Sequence, residues 1–297
     1  YMSLLRYDYD TSYGNYVDAN GVWSPSLSPI SNANPDLRWE KSTEYNVGLD
    51  LGFFGNRLYA NIDLYNKVTS DMLWEYSVPV PPNLYGYTTA NVGSMSNQGI
   101  EVLIGGTPVQ TKNFEWNSTL TLAHNRNKLI NMSNDPYETE NYLDGGWTEE
   151  PTSMVTQRTY IGDAIGSFYM LKAVGVVQSG PQKGLWLIED PETGEAVPFD
   201  SGMRNYDSRF RQYCGSALPK LTMGWSNTLR FYGVDLTMSF SGQFGYKIFN
   251  CQRMFYENLN IGLNRYKSAT QPVYGTTLAK SQQPVAVSYY LEDGDYI

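Results

Sequence analysis

The sequence predicts an all-β chain, part of a large antiparallel transmembrane β-barrel with short turns at one end and long loops at the other. Three observations carry this expectation. Apolar and polar residues alternate at period two in paired stretches. Connectors are short inside the pairs and long between them. No apolar run approaches the ~18 residues that a membrane-spanning helix needs. The mean hydropathy of -0.43 still suits a wall that is apolar only at every second position.

The first pair runs from Thr43 to Asn66. Val47, Leu49 and Leu51 alternate with Gly48, Asp50 and Gly52; after a corner at Phe53–Asn56, Leu58, Ala60, Ile62 and Leu64 alternate with polar residues and tyrosines. The second pair runs from Gln98 to Asn125. Ile100, Val102 and Ile104 form one face, residues 107–113 turn the chain, and Phe114, Trp116, Leu120 and Leu122 form the next. The third runs from Pro219 to Phe244. Leu221, Met223, Trp225, Leu229 and Phe231 lead to a Tyr232-Gly233 corner, and Val234, Leu236, Met238 and Phe240 return. Asn227 and Leu103 break the pattern.

The long connectors are 67–97, 126–218 and 245–288. Strand direction reverses at each connector, so every short corner falls at one end and every long loop at the other. Compact soluble domains seldom use several loops this long, whereas outer-membrane barrels do. The parity places the strand-like Ala164–Gly175 inside the second excursion, with Leu185–Ile188 as its expected partner. Rings near the corners (Phe53, Phe54, Phe114, Trp116, Phe231 and Tyr232) suit the lipid headgroup level.

Composition narrows function. The chain has 297 residues and a net charge of -9, which excludes nucleic acid as a partner because phosphate binding needs a basic face. His124 is the single histidine, too little for a zinc site or a triad. No GxSxG, HExxH or phosphate loop is present. The expectation is a protein that is not an enzyme and carries neither metal nor cofactor.

Several stretches resemble the C-terminal barrel of SusC/RagA-type TonB-dependent outer-membrane transporters. They are NPDLRWEKSTEYNVGLDLGFFGNRL (Asn34–Leu58), NVGSMSNQGIEV (Asn91–Val102), FEWNSTLTLAHNRNKLINM (Phe114–Met132), IGSFYMLKAVGVVQ (Ile165–Gln178), LPKLTMGWSNTL (Leu218–Leu229) and SFSGQFGYKIFN (Ser239–Asn250). YLEDGDYI (Tyr290–Ile297) is similar to the family's approach to a late strand. The resemblance implies a fragment of a barrel of about 22 strands, without the plug and the TonB-contacting segment. Seven wall strands are expected, with a further candidate near Leu4–Tyr9. The implied function is import of oligosaccharide or peptide nutrients across the outer membrane. The implied partners are a SusD-like surface lipoprotein, TonB and outer-membrane lipid. Many relatives carry a calcium-loop-like run after the IGSFY stretch. Here Leu185–Asp200 holds Glu189, Asp190, Glu192, Glu195 and Asp200 without the calcium ladder, so a solvated acidic loop is expected. The competing reading is a secreted all-β glycan-binding or glycan-cleaving module, with the apolar faces packed between two sheets.

Two residue sets follow for a barrel. Glu44, Asn46, Asp50, Asn61, Asp63 and Glu101 lie on the polar strand faces and are expected to face the lumen. Trp74, Tyr76, Tyr85, Tyr87, Tyr142, Trp147 and Trp186, with Tyr137 and Tyr206 nearby, are expected to contact ligand or partner, since flat rings stack on sugars and fill interfaces. Facing residues in the third hairpin sum to 465, and so do Cys214 and Cys251. If that ladder continues above the membrane the two form a disulfide.

Overall fold

The computed structural model describes residues 3–133, 141–148, 152–205, 208–262 and 264–297. Tyr137 and Tyr206 lie outside the described residues. The strands in chain order are β1 (Arg6–Val17), β2 (Trp23–Ser31), β3 (Lys41–Phe53), β4 (Leu58–Ser77), β5 (Tyr87–Gln110), β6 (Phe114–Asn131), β7 (Tyr142–Trp147), β8 (Val155–Tyr160) and β9 (Ser167–Leu171). Then come β10 (Ala173–Val176), β11 (Trp186–Glu189), β12 (Ala196–Pro198), β13 (Arg211–Ser216), β14 (Leu221–Phe231), β15 (Val234–Phe244) and β16 (Lys247–Phe249). Helix α1 (Cys251–Tyr256) and β17 (Leu291–Asp293) complete the order.

Six strands form one antiparallel sheet in the order β15-β14-β6-β5-β4-β3. Its register matches the alternation. Val47 faces Leu64, Leu49 faces Ile62, Ile104 faces Leu120, and Leu229 faces both Trp116 and Leu236. Apolar side chains therefore share one face across all six strands, since a one-residue slip would scatter them. The Tyr232-Gly233 corner has positive φ at both residues, 47° and 84°, the mirror-image turn whose twist suits a two-residue hairpin. The corner between β3 and β4 likewise has Phe54, Gly55 and Asn56 in left-handed conformations.

Among the described residues no second layer lies over the apolar face. Val47 is 71% exposed and Val234 68%, and Leu49, Leu64, Leu236, Phe240 and Trp225 are exposed as well. Asn227, the irregularity in β14, lies on this face yet is buried. Its Oδ1 accepts a bond from the indole Nε1 of Trp116 at 3.0 Å, and the Trp225 indole donates to Ser118 Oγ at 3.0 Å. The two indoles thus satisfy the two polar groups that would otherwise interrupt an apolar surface.

Three expectations about the wall need correction. The sheet has six strands, not seven. β1 pairs only with β2, and β17 pairs with β16, although Tyr296 exchanges two backbone bonds with Gln243 at the open edge of β15. The excursion at 67–97 is mostly strand. β4 and β5 continue their ladder, through shifts near Met72, up to Ser77 facing Tyr87, leaving 78–86 as the loop. The turn expected over 107–113 closes within 111–113, with a register shift between Gly106 and Val109.

The remaining strands build small sheets above the wall, in the orders β13-β9-β8-β7 and β10-β11-β12. Ala164–Gly175 stays out of the wall, as parity requires. Its second half pairs with β11, Ala173 facing Ile188 and Val176 facing Trp186, while its first half pairs with β13. The molecule's main buried core is here, around Leu171, Trp186, Ile188, Met254, Val287 and Tyr290. Each fully buried aliphatic side chain of this kind contributes about 1.5–3 kcal/mol.

Candidate functional site

The polar face of the wall gathers every residue expected there. Asp50 faces Asn61, whose amide donates to its carboxylate. Asp63 faces both Gly48 and Glu101, and Asn46 faces Tyr65. Glu44 faces Lys67. Asn61, Asp63, Glu101, Thr121 and Gly224 border one shallow hollow on this face. Two glycines shape the polar face beyond the hollow. A Cβ at Gly99 or Gly105 would lie 2.4 Å from the rings of Tyr65 and Tyr59, so these rings lie flat on bare backbone. The resulting surface offers carboxylates, amides and phenols.

The aromatic set divides. Trp74 and Tyr87 stand exposed on the upper β4–β5 hairpin, and Tyr85 in its loop lies 6.0 Å, centroid to centroid, from Tyr87. Asn32 ties this tip down: its side-chain amide donates to the Tyr85 and Tyr87 carbonyls, and its Oδ1 accepts from the Leu84 and Tyr85 amides. Trp147, 62% exposed, ends β7. Tyr142 is half-buried under Arg158, whose guanidinium carbon sits 3.7 Å from the ring centre.

Two members of the set are not surface groups. Tyr76, 2% exposed, packs with Ala90 and Val92 and donates its hydroxyl to the Met132 carbonyl at 3.0 Å. Trp186, 1% exposed, is central to the upper core, edge-on to Tyr290 at 6.0 Å. Its backbone N–H donates to Gln282 Oε1 at 2.9 Å. A sequence shows a ring but not which neighbour covers it.

The disulfide expectation is overturned, since Cys214 and Cys251 are not bridged. The ladder ends at Leu221 facing Phe244, after which β13 turns to β9 and the chain beyond β15 enters β16 and α1. Burial pushes the Cys214 thiol up to about 11.

One charged cluster had no sequence signal. Arg158 and Arg211 are both buried, from β8 and β13, with Tyr169 between them. Arg158 forms a two-pronged pair with Asp144 at 2.6 and 2.7 Å. Burial works against the Arg158 charge, but the Asp144 bonds outweigh it and hold the guanidinium above its ordinary range. Burial lowers Arg211, and the like charge of Arg158 adds to this. The same burial raises the Tyr169 phenol to about 12. Cross-strand partners far apart in sequence build this cluster, so no local spacing announces it.

In the acidic loop, Asp190 pairs with Arg209 at 2.9 Å and accepts the Glu192 backbone N–H at 3.0 Å. The pairing with Arg209 holds the Asp190 carboxyl below its usual range. No group of three metal-ligating side chains is found among the described residues.

A sheet with an exposed apolar face, a polar face and long excursions at one end defines an outer-membrane β-barrel wall. The comparisons give the family: the description "TonB dependent receptor-like, beta-barrel" matches residues 4–186, and the chain belongs to that family. Its members are outer-membrane proteins. TonB-dependent receptor P3 of Formosa agariphila is 28% identical over 89% of this chain, and TonB-dependent receptor SusC of Bacteroides thetaiotaomicron is 25% identical over 99%. The solved RagAB peptide transporter superposes over 99% of the chain with a TM-score of 0.71 and 25% identity. The chain spans 27% of each of those two receptors and 30% of the RagAB chain.

Proposed function

We propose that this chain forms part of the wall and external loop layer of an importer of oligosaccharide or peptide nutrients. The importer is driven through TonB and works with a SusD-like surface lipoprotein. The observation that carries the reading is the six-strand apolar face left exposed while a well-packed core sits above it. Lipid is the solvent such a face fits. The secreted-module reading needs that same face packed between sheets, which is not its environment here. In this account the polar face, with Glu44, Asn46, Asp50, Asn61, Asp63 and Glu101, lines the lumen. Trp74, Tyr85, Tyr87, Tyr142 and Trp147 offer rings to cargo or to the lipoprotein. That the family is one of transporters and receptors favours passage of the cargo without chemistry on it.

Uptake by cells expressing the full-length protein tests this. Trp74→Ala with Trp147→Ala, both exposed, leaves the protein's abundance in the outer membrane unchanged and lowers uptake of its cargo. Unchanged uptake and unchanged cargo affinity in the double variant remove these rings from the proposed contact set.

A further inference from the structure

A small cavity lies in the upper layer, between α1 and residues 268–278, with Tyr289 and Tyr290 on its border. Its volume is about 120 Å³, the share of about four waters. Ala269, Val273 and Leu278 give it apolar walls, and Glu257 and Tyr290 give it polar groups. Tyr290 is 1% exposed and firmly held. Its N–H donates to the Val287 carbonyl at 3.1 Å, its carbonyl accepts from Asn250 N–H at 2.8 Å, and its ring packs edge-on to Trp186 and Tyr289. Yet among the described residues its hydroxyl has no hydrogen-bond partner. A buried hydroxyl left unengaged is costly. Burial holds this phenol well above its ordinary range, so it stays a neutral donor and acceptor.

The charges beside the cavity do not balance. Glu257 and Glu292 share one guanidinium: Arg253 Nε reaches Glu257 Oε2 at 3.1 Å, and Arg253 Nη1 reaches Glu292 Oε1 at 2.7 Å. The bond from Arg253 holds the Glu292 carboxyl below its usual range. One negative charge is left over, and among the described residues no other cation pairs with Glu257. Glu257 Oε1 accepts the Ser268 hydroxyl at 2.8 Å, and a carboxylate oxygen has room for a second donor.

We propose that this cavity binds the ammonium end of a lysine side chain in a peptide cargo. The inference rests on the importer reading, which supplies the cargo. An ammonium carries three donors and no acceptor. One donor goes to Glu257 Oε1 and one to the Tyr290 hydroxyl, which leaves the third for water. The surplus negative charge favours a cation over a neutral group. The aliphatic stem lies along Ala269, Val273 and Leu278, as lysine stems do on apolar surface. A volume of about four waters admits the tip of an unbranched chain but not a pyranose ring.

Isothermal titration of the full-length protein in lipid nanodiscs with acetyl-lysine methylamide tests the site. The wild type binds it about tenfold more tightly than the norleucine counterpart, which lacks only the ammonium, or the hydroxynorleucine counterpart, which carries a hydroxyl in its place. Tyr290→Phe loses that preference. Its ligand-free loop layer stays as resistant to limited proteolysis as the wild type's, since the hydroxyl has no protein partner to lose. Ala269→Leu, which fills the cavity, loses the preference too. Equal binding of the three probes, or a preference that survives Tyr290→Phe, overturns the proposal. Loss of protease resistance in Tyr290→Phe overturns it as well, because the hydroxyl is then structural. Uptake by cells separates the two readings. Equal TonB-dependent uptake of lysine and norleucine tripeptides overturns the lysine site alone. Lysine preference in titration, with uptake of neither peptides nor oligosaccharides, overturns the importer reading and the cargo assignment with it.

Discussion

In β3–β6, β14 and β15 the large apolar side chains are the exposed ones, whereas in the upper core around Leu171, Trp186, Ile188, Met254 and Tyr290 they are the buried ones. Both regions are β-structure from one chain with one composition, so propensity does not separate them. Solvent does. Alternation through the paired ladders turns the large apolar residues, Leu103 excepted, to one side, and among the described residues no further element covers them. The upper layer uses strands of three to six residues in separate small sheets that share one buried core. The lesson is that an exposed Val47 and a buried Val287 are both at equilibrium, one against hydrocarbon and the other against protein.

The comparison is broken most severely in the upper layer. Trp186→Ala removes the centre of the core and costs about 3–5 kcal/mol. The effect is read as early loss of the loop layer in limited proteolysis, while the wall keeps its heat-modifiable migration. Simultaneous collapse of both regions contradicts their independence. Next in size is Leu49→Arg, in the middle of the apolar face. In lipid it costs about 2–4 kcal/mol, measured by urea unfolding in detergent micelles or vesicles. In water an exposed position of this kind changes stability by only about 0.5 kcal/mol, so a small effect removes the lipid reading. Asn227→Ala leaves the Trp116 indole N–H without its acceptor at a cost of about 1–3 kcal/mol. Trp116→Phe on that background recovers part of the loss, and a purely additive double variant dissociates the pair. The smallest effect is chemical. Cys214, with its thiol raised to about 11, stays unlabelled by iodoacetamide at pH 8 in the folded protein. Denatured, unreduced protein yields two thiols; a yield of none restores the bridge.

The wall was legible in the sequence because it obeys a single period. Tyr232-Gly233 fixed the third hairpin, and every facing pair from Phe231–Val234 to Leu221–Phe244 follows from it. The face shared by Asp50, Asn61, Asp63 and Glu101 follows from the same counting. Legibility stopped where the apolar alternation stopped. Above Asn66 and Gln98 the strands continue with mixed side chains on both faces, so 67–97 reads as a loop although β4 and β5 run through most of it. The Cys214–Cys251 pairing failed by extending a ladder past Phe244, where Gly245 takes φ +77° and the chain turns toward β16. Tyr76 and Trp186 failed for another reason: their burial comes from Met132 and Tyr290, distant in sequence. Arg158, Asp144 and Arg211 are hidden in the same way.

The central claim is that one face of this sheet meets hydrocarbon and the other meets water. Nitroxide labels placed singly at residues 59–64 of β4 in the full-length protein, reconstituted in lipid, test it directly by collision with oxygen and with an aqueous nickel chelate. The account predicts a two-residue period, with Ala60, Ile62 and Leu64 favouring oxygen and Tyr59, Asn61 and Asp63 favouring nickel. Equal accessibility at the two sets, or shielding of Ile62 and Leu64 from both probes, contradicts it.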